Sequence, residues 1–250
     1  MHSCASTEES PKRQSGRKDR CAAVATTVLR SFNTWAFKRE QPSDAASMLR
    51  IISDSIAREE PVPFVMYWGK GPRTRIAAPD IHCLDYLHAL CTRVACSYKR
   101  GAALTLVFTD THAGLNGHSP ESILQYFEDI AGAARSRNFQ ICWLGELLAT
   151  HRTQPSAFSE IPGDILGRLT RSAQKWYHGD GTSEEGAKRY FSLNMLERQT
   201  IELAFPNSIF ITFNGSELRS LFPDHLPIFY MYSLRRGTSV KPWFIPEMPE

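Results

Sequence analysis

Thr105-Leu-Val-Phe-Thr-Asp-Thr-His-Ala-Gly-Leu-Asn-Gly-His118 is the stretch whose reading decides the fold class. Its first half belongs to an apolar run, Leu104 to Phe108, that reads as a buried strand. Its second half is abruptly polar, with Asp110, His112, Asn116 and His118, before Ser119-Pro120 opens an amphipathic helix that buries Ile123, Phe127 and Ile130. A buried strand that hands acid, imidazole and amide groups to the loop behind it is how open α/β sheets present chemistry at their carboxyl edge.

The same grammar repeats on either side. Upstream, Pro61 and Pro63 introduce an apolar run, Val62 to Trp68, followed by the turn Gly69-Lys70-Gly71-Pro72-Arg73. Pro79-Asp80 then starts a helix with Ile81, Leu84, Leu87, Cys91, Val94 and Tyr98 on its inner face, and Gly101 ends it. Downstream, a third run from Phe139 to Leu144 ends in Gly145-Glu146. Strand, helix, strand, helix, strand predicts right-handed crossovers and an α/β, Rossmann-like, mostly parallel sheet with flanking helices.

Two helices are expected ahead of this unit, over 22–37 and 43–59. The second has Ser43 as its cap and Leu49, Ile52 and Ile56 as its stripe. Residues 151–204 are more helical and polar, and are expected to form a helical lid. The runs Ser208–Phe213 and Ile228–Ser233 are β-rich and are expected at the sheet edge, antiparallel to the rest. Residues 1–20 are rich in Ser, Lys and Arg without apolar periodicity. They read as a disordered arm, leaving 21–250 as one catalytic domain.

Composition narrows the classes. The chain of 250 residues is 42% hydrophobic, enough for a full core, and carries a formal charge of +3. That mild excess permits an anionic ligand without demanding nucleic acid. Among six cysteines there is no CxxC pair; Cys83, Cys91 and Cys142 fall inside apolar patterns, which suits a reducing compartment and a cytoplasmic protein. Met1 to Arg20 lacks the apolar core of a secretory signal, and no run approaches the roughly 20 apolar residues of a membrane span.

Candidate site residues sit at the strand ends. Lys70 and Arg73 lie in a Gly-rich turn that suits an anion, although GKGP lacks the spacing of a phosphate-loop motif. Asp110 and His112 suit proton transfer, with the carboxylate orienting the imidazole; the alternative is that Asp110 and Asn116 only brace the loop. His118, next to the capping Ser119, reads as structural. Glu146 is either an ammonium anchor or a helix N-terminal acid. Trp176, Tyr177 and His178 before a Gly-Asp-Gly turn read as a closing lid or as a surface turn. Asn214-Gly215 and Arg235-Arg236-Gly237 bring further polar groups to strand ends, with Arg235 a candidate clamp for carboxylate or phosphate. An Asp-x-His with a distal His would suit a facial-triad iron site, but that signature runs His-x-Asp on a β-sandwich, so no metal is assigned. Motifs of serine hydrolases, zinc proteases, P-loop proteins and dinucleotide binders are absent from the sequence.

The order of these features resembles a known family. Pro63-Phe64 precedes a basic turn, Pro79-Asp80 opens a helix, and Tyr98 with Gly101-Ala102 leads into the strand ending at Asp110. Tyr126, Ile209 to Phe213 and Pro242-Trp243 follow. This pattern, over most of 61–244, is similar to the isocyanide (isonitrile) synthases of the paerucumarin and dityrosine pathways, the PvcA-like proteins. The resemblance implies a Rossmann-like domain with a helical lid that joins an amino acid, such as tyrosine or tryptophan, to ribulose 5-phosphate and leaves an isonitrile. It implies phosphate binding at Lys70 and Arg73, and Asp110 in the place of the family's strand-ending acid. The family's Lys-Ser, Ser-Asp-Gly and Pro-Trp-His are here Trp68-Gly69-Lys70, Thr109-Asp110-Thr111 and Pro242-Trp243-Phe244.

The expectation is therefore a biosynthetic enzyme of secondary metabolism that condenses an amino acid amine with a phosphorylated sugar carbonyl. Lys70, Arg73 and Arg235 would hold phosphate, Asp110 and His112 would move protons, and Asn116 and Glu146 would touch substrate. No cofactor and no membrane are implied. Two alternatives stay open: a cyclodipeptide-synthase-like aminoacyl transferase using charged tRNA, which lacks its Gly-x-Ser loop here, and a degenerate member that binds a ligand without turnover.

Overall fold

A computed structural model of the chain describes residues 11–31, 37–39, 43–151, 161–212 and 228–231. The strands β1 (Phe37–Arg39), β2 (Val62–Trp68), β3 (Ala102–Phe108), β4 (Gln140–Trp143), β5 (Ile209–Thr212) and β6 (Ile228–Met231) form one sheet in the order β1-β6-β5-β2-β3-β4. β6, β5, β2, β3 and β4 are mutually parallel, and only β1 runs antiparallel, on β6. The expected Rossmann-like α/β architecture is thus present.

Side chains alternate between two cores because successive strand residues point to opposite faces. Phe64, Met66 and Trp68 of β2, Leu104, Leu106 and Phe108 of β3, and Ile209 and Ile211 of β5 share one core. The helices α1 (Pro11–Ser31), α2 (Ser43–Arg58), α3 (Ala78–Ser97) and α5 (Pro120–Arg135) cover that face. Val65, Val107, Tyr67, Cys142 and Phe210 point the other way, onto α6 (Leu144–His151) and α8 (Ser183–Ala204). Burial on both faces is why β2 and β3 read as continuous apolar runs. α7 (Gly163–Trp176) lies on α8 through Ile165, Leu169, Ala187, Phe191 and Met195. The segment expected as a lid therefore contains α8, whose Ile201 is buried against the sheet.

Helix starts follow local chemistry. Ser119 caps α5, its Oγ accepting from the Ser122 N–H at 3.3 Å, with Pro120 as first residue. At α8, Thr182 and Glu185 form a reciprocal capping box, 3.2 Å and 2.7 Å.

Four expectations are corrected. The first helix begins at Pro11, ten positions inside the segment read as a disordered arm, and ends at Ser31; residues 37–39 are strand. Ala25, Val28 and Leu29 anchor it in the core. A helix nucleated there propagates through Lys, Arg and Gln at little cost. The C-terminal strands are parallel to the rest, and the antiparallel edge strand is β1. The connection 213–227 exceeds the roughly dozen residues that a parallel crossover needs. Asp110–Leu115 is not loop but a short helix, α4. The third strand stops at Trp143, so Leu144, Gly145 and Glu146 open α6. Among the described residues no helix is long and apolar enough to cross a membrane.

Candidate active site at the carboxyl edge of the sheet

Parallel register sets the last residues of three strands side by side, Trp68 beside Phe108 beside Trp143. Whatever follows them in sequence must gather at one edge. The Thr109 N–H closes the edge by donating to the Trp68 carbonyl at 3.0 Å. Lys70, Arg73, Asp110, His112, Asn116 and Glu146 all emerge here, as the sequence leads one to expect, but their pairings differ from the expected ones.

The basic turn after β2 folds around Lys70. Its ammonium is inward, the residue only 4% exposed, and donates to the carbonyls of Gly71 (3.2 Å) and Arg73 (2.8 Å). It also lies 5.5 Å from the Tyr126 ring centroid. Among the described residues no carboxylate reaches it within ion-pair distance. Burial lowers its pKa from the ordinary lysine value.

Arg73 has a counter-ion already. Its Nη2 lies 2.8 Å from both Asp80 oxygens, and Asp80 is fully buried at the start of α3. The Tyr126 hydroxyl donates to Asp80 Oδ1 at 3.0 Å and accepts from Trp68 Nε1 at 3.3 Å; the Ala77 N–H donates to Oδ2 at 3.0 Å. Burial raises the Asp80 pKa, and the Ala77 N–H, Arg73 and Tyr126 pull it back down. Burial first, and then the Asp80 charge, push the Tyr126 hydroxyl far above its ordinary value, so it remains a donor. Arg73 therefore shapes the turn that presents Lys70.

α4 separates the two residues expected to act together. Asp110 turns toward α6, where Oδ1 accepts the Gly145 N–H at 3.0 Å. A Cβ on Gly145 would meet Oδ2 at 2.8 Å, so a larger residue there would push the carboxylate off this N–H. The carboxylate thus braces the N-terminus of α6, the structural alternative for Asp110. Glu146 is exposed on the first turn of the same helix. Asn116 ends α4, half-buried, with its N–H on the His112 carbonyl at 3.0 Å.

His112 points instead to α8. Its Nε2 lies 2.5 Å from Glu197 Oε2, and the side chains are 14% and 2% exposed. Thr111 Oγ1 approaches the other Glu197 oxygen at 3.5 Å, and the Tyr190 ring lies 5.1 Å from the imidazole, centroid to centroid. Burial, and next the Glu197 charge, hold the pKa of Tyr67 on β2 well above the phenolic range. The orienting carboxylate of His112 is Glu197, not Asp110. Glu197 is absent from the sequence-level candidates, although a signal for it exists. Tyr190, Glu197 and Ile201 fall seven and four residues apart, which puts an acid on the apolar stripe of a helix.

A seam closes the edge between α4–α5 and α7–α8. His118 is half-buried, and its pKa is lowered by burial and then by the charges of Lys70 and His178. That links a residue read as structural to the cation of the basic turn. The turn bearing His178 is packed backbone to backbone on the α4–α5 loop. A Cβ on Gly117 would stand 2.8 Å from the His178 carbonyl, and one on Gly179 2.8 Å from the Leu115 carbonyl. Gly117 also has φ +81°. Gly117→Ala is expected to lose more than about 1 kcal/mol of stability, read as a lower urea midpoint, because strain and clash act together. An unchanged midpoint would mean that the seam opens freely.

Arg235, Arg236, Asn214 and the Lys241–Phe244 segment lie outside the described residues. Among the described residues no group of three or more His, Cys, Asp or Glu side chains is gathered as for a metal ion.

No family model and no curated protein matches the chain. Among solved structures, the PvcA protein from Pseudomonas aeruginosa is similar at a TM-score of 0.64 and 16% identity, over 88% of this chain and 87% of that one. A tryptophanyl-tRNA synthetase homologue from Entamoeba histolytica aligns at a TM-score of 0.42 and 8% identity, over 83% and 62%. A tryptophanyl-tRNA synthetase from Encephalitozoon cuniculi aligns at 0.33 and 13%, over 80% and 63%. These looser likenesses carry no argument. The likeness to PvcA is one of fold and spans nearly both chains, so this chain has a PvcA-like, Rossmann-like α/β fold.

Proposed function

We propose that this protein is a biosynthetic enzyme similar to the isocyanide synthases. It condenses the amine of an amino acid with the carbonyl of a phosphorylated sugar, ribulose 5-phosphate being the candidate that the family resemblance implies. The observation that carries this reading is Lys70, an ammonium buried at the carboxyl edge of the sheet that donates to two carbonyls and, among the described residues, has no carboxylate within ion-pair distance. Such a cation is costly to bury and is stabilised when an anion binds beside it. His118 stands within its electrostatic reach, and His178 stands in turn within that of His118, which suits a phosphate more than a single carboxylate. The PvcA-like fold supports the same reading.

Condensation also needs proton transfer, because an ammonium must lose a proton before its nitrogen attacks a carbonyl, and the resulting alcohol must gain one to leave as water. His112 is the imidazole at this edge that is paired with a carboxylate, Glu197. Asn116 ends the same short helix, and Glu146 is a less sheltered anchor for an ammonium than Glu197.

The test is mass spectrometry of the purified protein incubated with pooled amino acids and ribulose 5-phosphate labelled with ¹³C in the sugar. The expected result is a product that keeps the amino acid nitrogen and one labelled carbon, and that disappears in Lys70→Ala. Absence of any labelled product, or equal product from Lys70→Ala, overturns the proposal.

A further inference from the structure

The His112–Glu197 pair has two properties that an ordinary core ion pair lacks. Glu197 is a buried acid whose neighbours are Thr111 Oγ1 and the imidazole; among the described residues no lysine or arginine pairs with it. And the far nitrogen of the imidazole, Nδ1, is buried without a hydrogen-bond partner among the described residues. A buried carboxylate demands a positive or donating neighbour, and a buried ring nitrogen demands a partner whichever protonation state the ring takes.

With Glu197 ionised, the acceptor facing Nε2 requires a proton on Nε2, so the neutral ring is the Nε2–H tautomer and Nδ1 carries the lone pair. If the ring is an imidazolium, Nδ1 is instead an N–H that needs an acceptor. A group that can both donate and accept satisfies both states, as a hydroxyl or an amine does. An ammonium donates to the Nδ1 lone pair, and after the proton crosses, the free amine accepts from Nδ1–H. A carboxylate or carbonyl satisfies only the second state.

We propose that Glu197 is the positioning residue that holds His112 as the Nε2–H tautomer, and that Nδ1 of His112 is the atom that takes the proton from a bound amine. In this step the N–H bond of R–NH₃⁺ breaks, its electron pair stays on nitrogen as R–NH₂, and the proton forms the Nδ1–H bond. The ring becomes an imidazolium facing the Glu197 carboxylate. The pair passes from one net negative charge to neutral and the amine from positive to neutral, so total charge is conserved and no other reactant is consumed. Tyr67, kept protonated beside Glu197, does not compete for that proton. Tyr190 lies against the imidazole. This assignment rests on the proposed function only for the amine being that of an amino acid.

The experiment is ¹⁵N-imidazole NMR of the full chain labelled at histidine, with His112→Asn to assign the resonance. Wild type is expected to give the Nε2–H pattern for His112 where the ring is neutral. Glu197→Gln, which still accepts from Nε2–H, keeps that pattern, and Glu197→Ala gives a tautomer mixture. If Glu197→Ala does not fold, the wild-type pattern alone decides the tautomer. L-Tyrosine and L-tryptophan are then compared with their deaminated acids, 3-(4-hydroxyphenyl)propanoate and indole-3-propanoate. The amino acids are expected to move the Nδ1 resonance and the deaminated acids to leave it in place, with the response at least tenfold weaker in Glu197→Gln at equal concentration. A wild-type Nδ1–H tautomer, the same response to both ligand sets, or no response to either overturns the inference. Amine-dependent shifts without any labelled product would leave the Nδ1 assignment standing and the condensation fallen. Labelled product made equally well by Glu197→Gln and by Glu197→Ala would do the reverse.

Discussion

Asp80→Ala is expected to remove about 3–5 kcal/mol of folding stability, the range found when one member of a buried ion pair is deleted. Asp80 is fully buried and accepts from Arg73 Nη2, the Tyr126 hydroxyl and the Ala77 N–H. Removing it takes the carboxylate away from a guanidinium whose side chain is only 11% exposed, and strips the α3 terminus of its acidic partner. Asp80→Asn keeps the shape and an acceptor for Tyr126 while losing the charge, and should fall between wild type and Ala. Urea unfolding of the three proteins reads this directly. A loss under about 1 kcal/mol in Asp80→Ala would mean that Arg73 swings out to water, and that the pair does not brace the turn holding Lys70.

Lys70→Met is expected to separate function from stability. Turnover should fall by at least about 100-fold, the scale for deleting one preorganised electrostatic contact to developing or bound charge. Stability should change by less than about 1 kcal/mol, because two opposing terms vanish together. The ammonium's burial costs several kcal/mol, and its charge-assisted bonds to the Gly71 and Arg73 carbonyls return about 1.5–3 kcal/mol each. A pH signature identifies the burial term. The folded pKa of Lys70 lies below its ordinary value of 10.5. Between those two values the unfolded chain binds more protons, so stability rises with pH across that window. Below the folded value both states are protonated and the full cost of burying the charge is present. Wild type should thus gain thermal stability on the alkaline side relative to Lys70→Met, measured as the difference of their melting temperatures against pH. A flat difference would show that the ammonium reaches water.

The readable part of the site follows from strand ends. Lys70, Asp110, His112 and Glu146 could be placed at one edge before any coordinates, because a parallel sheet aligns its carboxyl ends and each residue follows an apolar run within a few positions. Their partners could not. Asp110 and His112 are two residues apart in sequence, which made them look like a pair. On a helix, residues at that spacing point to different sides, so once 110–115 is helical one faces α6 and the other α8. Glu197 lies 85 positions beyond His112, and nothing local couples them. The Arg73–Asp80 pair is nearer in sequence, seven positions apart, yet the first reads as part of a basic turn and the second as a helix start, and only the folded turn brings them together.

Local periodicity and turn chemistry were enough for the α/β class, for the boundaries of β2 and the start of α5, and for the edge where chemistry gathers, since these depend on residues within a few positions of one another. The start of the first helix, the direction of β5 and β6 and the short helix α4 depend on what packs or pairs from far along the chain. So do the choice of Glu197 as partner of His112 and the enclosure of Lys70. Burial and charge pairing act through space, and their strength is decided by which distant groups the folded chain brings within a few ångströms.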